Sequence, residues 1–504
     1  RRAPWKQRMT FAWAIVLLVL LPLAAAALSF AFPRRGGWLA AGAAVGIGVG
    51  TAQLIRAVLA DGAQIHQVGG WGAPLGIDLR ADGLAVWMLL VAGINGAAVA
   101  LYSSRYFGME RSEEGRHRER YFWPLLLFLW TALNALFLSA DIFNLYVTLE
   151  MLGFAAVMLA ALAGGRDALA AAMRYLLVSL SASLFYLLGV ALVYGQCGTV
   201  DLRLLAAQAP AQPAPWVALA LMTGGLATKT ALLPMHFWLP PAHASAPAPV
   251  SALLSALVVK GSFYILLRLW FEAFQVRMTP AVAHALGALG AAAILWGSIS
   301  ALRQARLKLL IAHSTVAQIG YLFLLFPLAA SPKAGFLGWS GGLILLGAHA
   351  CAKTAMFLTA GNILHAVGHD RIKDLEGVTR GLPVSMFAFG LSALSLVGLP
   401  PSGGFAGKWL LLSAGVAQGQ WWWIAMVLFG SLLAAAYVVR VLTHAFTSGS
   451  KPAILNPIPP VMEWTALVLA IVAVGFGLAA FWPAELLRAG APQAMPFLAG
   501  GAAP

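Results

Sequence analysis

The chain has 504 residues, of which 61% are hydrophobic and only 10% are charged. A water-soluble domain carries roughly a quarter charged residues, so this composition excludes a soluble globular protein. A net charge of +15 would suggest a nucleic-acid partner in a soluble protein. In a membrane protein, an excess of Lys and Arg in cytoplasmic loops explains the charge. We therefore expect a protein of the lipid bilayer that binds no nucleic acid.

Apolar runs recur along almost the whole chain, and each is long enough to cross the hydrocarbon core as a helix. Helices are the expected form because backbone groups find no hydrogen-bond partners in lipid. The sequence predicts an all-α polytopic membrane protein with about 14 transmembrane helices. Short connections predict a single membrane domain over residues 1–504. The predicted spans are 10–32, 36–59, 84–101, 122–139, 142–163, 170–194, 215–238, 247–271, 281–302, 308–329, 337–366, 383–415, 421–446 and 461–482.

Two of these spans look broken. The seventh contains Pro234, and the twelfth contains Pro400 and Pro401 followed by several glycines. Proline removes a backbone donor and clashes with the preceding turn. Interrupted helices at corresponding places in two halves of a chain indicate a transporter built from inverted repeats. We therefore expect helices 7 and 12 to be broken, with two inverted five-helix repeats at about 122–271 and 281–446.

The basic residues of the loops predict the orientation of the chain. If the N-terminus lies outside, most Lys and Arg residues fall in cytoplasmic loops, as the positive-inside rule requires. The basic residues near the N-terminus oppose this assignment. The loops nevertheless favour both termini outside, in the cytoplasmic membrane of a bacterium or archaeon.

Four lysines and one glutamate lie within long apolar stretches: Lys229, Lys260, Lys353, Lys408 and Glu150. A charge at the bilayer centre costs about 2.5–3.5 kcal/mol even on lenient insertion scales. The alternative to a functional role is that each residue belongs to an ion pair that ties helices together. One carboxylate cannot pair with four lysines, however, so the set predicts a series of proton-translocation sites.

Glu150 and Lys229 suggest how such sites could work. Glu150 follows Asp141 by nine residues, which places it roughly 14 Å into its helix. Burial disfavours a charged lysine, whereas a nearby carboxylate favours it. Movement of Glu150 towards or away from Lys229 would therefore make the lysine take up or release a proton.

Several histidines are candidate relays. His349 precedes Lys353 by four residues and shares its helix face, so it could pass a proton to that lysine. His313 in span 10 and His236 beside the first break are further candidates. For all three, a hydrogen-bonded packing role is the alternative.

We expect no cofactor and no metal. The two cysteines, Cys197 and Cys351, are too few to hold an iron–sulfur cluster. His365 and His369 have the spacing of metal ligands, but they lie where a span meets a charged loop. Catalysis by the chain itself is not expected, although it could belong to a redox-driven enzyme.

Five segments carry a resemblance to a known family: 141–150, 229–240, 246–254, 313–321 and 398–409. They read DIFNLYVTLE, KTALLPMHFWLP, APAPVSALL, HSTVAQIGY and GLPPSGGFAGKW. Together they closely resemble the antiporter-like membrane subunits. This family comprises Mrp cation/proton antiporter subunits and their relatives in respiratory complex I and membrane-bound hydrogenases.

The resemblance implies a 14-helix fold with inverted repeats and proton translocation. By position, Glu150 and Lys229 match the glutamate–lysine pair of the family, Lys260 its connecting lysine and Lys408 its terminal lysine. A lysine at 408 is closer to the D-type subunit of Mrp and to NuoN of complex I than to NuoM. Pro241 stands where the family usually has an aspartate, so no role can be carried over for that acid.

The resemblance leaves two functions open. The first is a proton-translocating subunit of a multisubunit Na+/H+ antiporter of the Mrp type, which would exchange Na+ or K+ for protons. The alternative is the proton-pumping membrane subunit of an NADH:quinone oxidoreductase or membrane-bound hydrogenase. Both imply other membrane subunits as partners.

Overall fold

The computed structural model describes residues 4–109, 112–208, 214–447 and 456–492. Within these ranges, 12 helices are long and apolar enough to cross a membrane. This confirms the predicted all-α polytopic membrane protein. The count of 14 helices and the inverted repeats stay predictions.

In chain order the α-helices are α1 (Pro4–Ala31), α2 (Gly36–Asp61), α3 (Gly83–Tyr106), α4 (Glu113–Leu138), α5 (Ile142–Ala161), α6 (Gly165–Cys197), α7 (Leu202–Gln208), α8 (Ala214–Lys229), α9 (Leu239–Ser245), α10 (Ala248–Leu253), α11 (Val259–Arg268), α12 (Pro280–Arg303), α13 (Leu307–Phe323), α14 (Leu325–Ala329), α15 (Gly335–Val367), α16 (Val378–Gly381), α17 (Pro383–Val397), α18 (Gly403–Gln418), α19 (Trp421–Phe446), α20 (Pro460–Leu478) and α21 (Phe481–Ala489). Two π-helical segments, Leu254–Val258 and Leu269–Ala273, flank α11.

A short β-hairpin lies between α2 and α3, where no strand is expected from the sequence. Strand β1 (Gln64–Gln67) pairs antiparallel with β2 (Asp78–Ala81), with Gln64 opposite Ala81. Gly69 and Gly70 have positive φ angles in the connection, a conformation that glycine adopts without steric cost.

The chain divides into two compact units. The first comprises Arg1–Thr230 and Ser245–Arg277, and the second comprises Ala231–Ala244 and Met278–Pro504. In the first unit, α1 packs on α2 and α4, and α6 packs on α8. In the second unit, α15 packs against α17, α18 and α20.

Each unit contains one helical stretch with a fully buried central part. In the first it is Ala248–Ala273, which carries Lys260, and in the second it is Gly335–Val367, which carries Lys353. Both lysines are themselves buried. Both lysines therefore lie in the interior of their units.

Both predicted breaks are present, but the first begins earlier than predicted. Helix α8 ends at Lys229, so Pro234 lies in a non-helical segment and not inside a helix, as the span 215–238 implied. Ala231, with φ of 58°, already leaves the helical conformation. In the second break, α17 ends at Val397 and Gly398 adopts a left-handed conformation with φ of 87°.

Candidate functional site

Glu150 and Lys229 form a buried ion pair. The Asp141 side chain caps the N-terminus of α5, and Glu150 follows within that helix. Lys229 is the last residue of α8, and its Nζ lies 2.7 Å from Oε1 of Glu150. The two side chains are 7% and 15% exposed. Ser183 Oγ on α6 donates a second hydrogen bond to the same carboxylate oxygen.

A pocket lies beside this pair. Its lining includes Gly153, Tyr175, Ser179, Lys229 and Ser262. A Cβ atom at Gly153 would stand 3.2 Å from Ser179 Oγ and 3.6 Å from Lys229 Nζ. The glycine thus leaves space next to the ammonium group, among hydroxyl groups that suit a bridging water.

Lys260 binds a backbone carbonyl instead of a carboxylate. Its Nζ donates to the carbonyl oxygen of Ser255, which belongs to the π-helical turn Leu254–Val258. Such turns occur frequently at functional sites. No salt bridge to Lys260 is found in the part of the chain that the structure describes.

Lys353 lies in the buried middle of α15 and reaches towards α13. Its Nζ donates to the carbonyl oxygen of Ile311 at 3.0 Å and to Ser314 Oγ. His349, one helical turn earlier on α15, is also buried. The helix face that His349 and Lys353 were predicted to share therefore lies inside the protein.

Lys408 lies in the second turn of α18 and reaches the C-terminal end of α17. Its Nζ donates to the carbonyl oxygens of Leu396 at 2.9 Å and Val397 at 3.0 Å, and to Ser431 Oγ at 3.0 Å. It also lies 4.3 Å from the ring centroid of Tyr321. The last carbonyls of a helix lack partners within that helix and carry its negative dipole end. The break in helix 12 thus supplies the acceptors that hold the ammonium group.

The other two candidate histidines lie near each other in the second unit. His236 Nε2 accepts a hydrogen bond from Trp296 Nε1 at 3.0 Å. His313, half-buried on α13, interacts electrostatically with His236. The structure therefore brings these two residues together at the first break.

Sequence reasoning missed three polar residues between Lys353 and Lys408. Ser314 accepts from Lys353, and four residues later Gln318 Nε2 donates to the Leu396 carbonyl oxygen at 3.3 Å, the same oxygen that binds Lys408. The buried Tyr437 hydroxyl lies beside Ser314 and Gln318 but makes no hydrogen bond to a described residue. The spacing of Ser314 and Gln318 within HSTVAQIGY was the available signal.

A set of charged residues in the first unit was also missed. Arg268 and Glu272 lie four residues apart near the end of a buried helix and pair with Asp82 and Arg80. Arg268 lies inside span 8 and Glu272 one residue beyond its predicted end, and their helical spacing could have revealed them. Among the described residues, no group of three or more His, Cys, Asp or Glu side chains could hold a metal ion.

Residues 139–434 match the model of the NADH:quinone oxidoreductase/Mrp antiporter transmembrane family. The chain belongs to this family. The resemblance drawn from the sequence motifs is thereby confirmed, and the chain is an antiporter-like membrane subunit of the proton-translocating kind.

Relatives of both functional types are similar to the chain. The N subunit of an NADH-quinone oxidoreductase from Desulforudis audaxviator is 35% identical, covering 88% of this chain and 89% of the relative. The D subunit of a Na(+)/H(+) antiporter from Bacillus subtilis is 28% identical, covering 93% and 94%. A chain of the Mrp complex from Dietzia sp. superimposes with a TM-score of 0.87 at 25% identity, covering 95% and 97%.

Proposed function

We propose that the chain is the proton-translocating subunit, of the Mrp D type, in a multisubunit monovalent cation/proton antiporter. The observation that carries this proposal is the buried ion pair of Glu150 and Lys229 beside a small pocket whose lining includes hydroxyl groups. Similarity to the Bacillus subtilis antiporter protein and to a chain of the Dietzia Mrp complex supports it. Other membrane subunits are then its partners, and protons with Na+ or K+ are its cargo.

In the proposed mechanism, the ion pair controls the protonation of Lys229. While Glu150 lies at 2.7 Å, its charge stabilises the lysine ammonium. Coulomb energy falls with distance and is larger away from water. Separation of the pair therefore favours release of a proton from Nζ into the adjacent pocket, while Ser183 continues to bind the carboxylate.

In the second unit, Lys353 and Lys408 are the proposed carriers. Ser314, Tyr437 and Gln318 lie between them and provide hydroxyl and amide groups that can orient a proton transfer. His349 would exchange protons with Lys353, and His236 and His313 would act as relays near the break. Lys260 is the proposed carrier that follows Lys229 in the first unit.

The test uses everted membrane vesicles that contain the assembled complex. With a pH gradient imposed and no redox substrate present, addition of Na+ or K+ should collapse the gradient in the wild type. Vesicles with Glu150→Gln should respond weakly at equal amounts of assembled complex. Absence of any cation-dependent response in the wild type would contradict the antiporter assignment.

A second candidate function is the proton-pumping subunit of an NADH:quinone oxidoreductase or membrane-bound hydrogenase. Similarity to the Desulforudis oxidoreductase protein favours it. Purification of the native complex separates the candidates through its partners: iron–sulfur subunits indicate the redox pump, and small membrane subunits alone indicate the antiporter. In either case we propose the cytoplasmic membrane as the location, with both termini outside.

A further inference from the structure

Four charged side chains meet at the C-terminal end of the helix that carries Lys260. They are Arg80 and Asp82, from the end of the β-hairpin, and Arg268 and Glu272, from the helical stretch itself. We call them the Arg268 cluster. Arg268 binds both oxygens of Asp82 at 2.6 Å, and Arg80 binds Glu272 at 2.5 Å.

Arg268 is the centre of this cluster. It also donates to Glu272 at 3.0 Å, and its Nε donates to the Tyr264 hydroxyl at 2.9 Å. Its side chain is only 5% exposed, whereas that of Glu272 is 22% exposed. The cluster therefore lies between the buried interior and one end of the unit.

The two arginines and Asp82 remain charged at physiological pH. Arginine does not release its proton in proteins. Burial alone would raise the pKa of Asp82, but Arg268 and Arg80 outweigh this effect and hold the pKa well below its usual range. The cluster consequently cannot pass a proton by titration of its own central groups.

Stability alone gives little reason for such a cluster. Replacing a buried ion pair by well-packed hydrophobic residues often leaves the folding stability unchanged or increases it, because desolvation of the charges is costly. A buried set of four charges therefore points to a role for the charges themselves.

The cluster shares a helix face with Lys260. Positions 260, 264, 268 and 272 are spaced by four residues and lie along one face. Eight residues separate Lys260 from Arg268, which is about 12 Å along the helix. Tyr264 lies between them, and the cluster is the end of this polar face.

The hydrogen bonds along this face do not connect the lysine to the cluster. Lys260 donates back towards the N-terminus, to the Ser255 carbonyl oxygen. Tyr264 accepts from Arg268 and donates its own proton to the Phe137 carbonyl oxygen at 2.6 Å. Among the described residues, no hydrogen bond joins Lys260 to Tyr264.

We propose that the Arg268 cluster is a barrier that prevents proton leakage between Lys260 and this end of the first unit. The barrier is the Arg268 guanidinium, which cannot release its proton and is kept in place by its bonds to Asp82 and Tyr264. The inference rests on the proposed function only in that Lys260 carries protons.

Passive proton leakage tests the barrier directly. Vesicles containing the assembled complex receive an imposed pH gradient without Na+, K+ or redox substrate, and the decay of the gradient is recorded. Arg268→Gln should accelerate the decay several-fold. Arg268→Lys should give a smaller increase, because a lysine keeps a positive charge but can release its proton.

Arg203 provides a matched control. It pairs with Asp78 of the same hairpin at 2.9 Å, but its side chain is 45% exposed. Arg203→Gln removes an ion pair without opening a buried path, so the decay should match that of the wild type. If the Arg203 and Arg268 variants leak equally, the cluster serves only as a structural anchor, and the proposal is wrong.

Two further variants keep the test decisive. Arg268→Gln could assemble poorly because it leaves Asp82 without its main partner. The double variant Asp82→Asn with Arg268→Gln leaves no unpaired charge, and its asparagine still caps α3. This double variant should also leak. Addition of Lys260→Ala should abolish the leak. Normal decay in the assembled double variant, or leakage that persists without Lys260, would refute the barrier.

Cation-dependent exchange is measured in the same vesicles. Loss of exchange in Lys260→Ala supports the proposed role of that lysine as a proton carrier. Unchanged exchange rejects that role but leaves the result of the leak assay to decide the barrier. The leak assay contains no exchangeable cation, so the two results are separable.

Discussion

Lys408 is held by the end of a helix and not by a carboxylate. Two carbonyl oxygens and one hydroxyl accept from its Nζ. Arginine would keep the positive charge but could not release a proton. A positioned proton-transfer group contributes about 10²–10⁴-fold to a rate. We therefore expect Lys408→Arg to reduce proton flux nearly as much as Lys408→Ala, measured in everted vesicles and normalised to assembled complex.

The exposed Lys333 is the control for this substitution, since Lys333→Arg should leave flux unchanged. Near-normal flux in Lys408→Arg would show that position 408 needs only a fixed charge and that Lys408 is not a carrier.

Glu150→Gln removes a charge while it retains an oxygen that can accept from Ser183 and Lys229. Assembly should therefore be largely preserved. Proton flux should fall roughly tenfold, which corresponds to about 1.4 kcal/mol of lost coupling. Flux in vesicles is the measurement, with the exposed Glu485→Gln as the control. Wild-type flux in a fully assembled Glu150→Gln complex would contradict the proposed role of the pair.

At the residue scale, the sequence predicts which groups are buried and charged but not all of their partners. The Glu150–Lys229 pair was expected, and the structure places these groups at 2.7 Å. The carbonyl acceptors of Lys408 were not identified, because they depend on where a helix ends. The pair of Asp82 and Arg268 spans 186 positions, and no local spacing reveals it.

Helix α17 is held by opposite charges at its two ends. Glu463 accepts from the backbone amide of Ser385 at 3.3 Å and from its hydroxyl at 2.8 Å, in the first turn of the helix. Lys408 binds the last carbonyls, those of Leu396 and Val397. An anion at the N-terminus and a cation at the C-terminus both complement the helix dipole. This half of the broken helix is therefore fixed in register with Lys408.

The second break also depends on close approach of α18 to α17. A Cβ atom at Gly404 would collide with the Ser395 carbonyl oxygen, whereas one at Gly390 would meet no atom within 4 Å. Overpacking costs typically about 1–3 kcal/mol and displaces backbone. Gly404→Ala should therefore lower the thermal stability of the complex and reduce flux by moving Lys408 away from its acceptors.

Gly390→Ala is the matched control on α17, and its stability and flux should equal those of the wild type. Normal flux with Gly404→Ala at full assembly would mean that the spacing of the two half-helices does not matter for transport.

At the element scale, proline and glycine predict that helices break but not where. Helix α8 ends at Lys229, well before Pro234, because the backbone turns at Ala231. The hairpin was missed because its two strands are short and fall between apolar spans. The π-helical turn before Lys260 has no signal in the amino-acid pattern.

For the whole molecule, we expect that the chain works only within the proposed complex. Its buried ionisable residues provide proton sites, but the proposed antiport needs the other membrane subunits as well. The purified chain in liposomes should therefore give little or no cation-dependent proton exchange, while the complete complex should give robust exchange. Robust antiport by the single chain would contradict this expectation.

Composition and apolar runs were sufficient to predict a polytopic helical membrane protein. The two compact units were not predicted, because contacts between distant helices decide them. The orientation of the termini stays a prediction from loop charges.

The segment Ala231–Ala244 belongs to the second unit, although the chain on either side of it belongs to the first. Within the second unit, His236 binds Trp296 at 3.0 Å, and the His243 ring stacks on Phe357 with centroids 4.9 Å apart. During synthesis, this segment leaves the ribosome before the helices on which it packs. Neither unit can consequently be excised as one continuous stretch of sequence: a cut between Arg277 and Met278 would remove His236 from the fragment that contains Trp296.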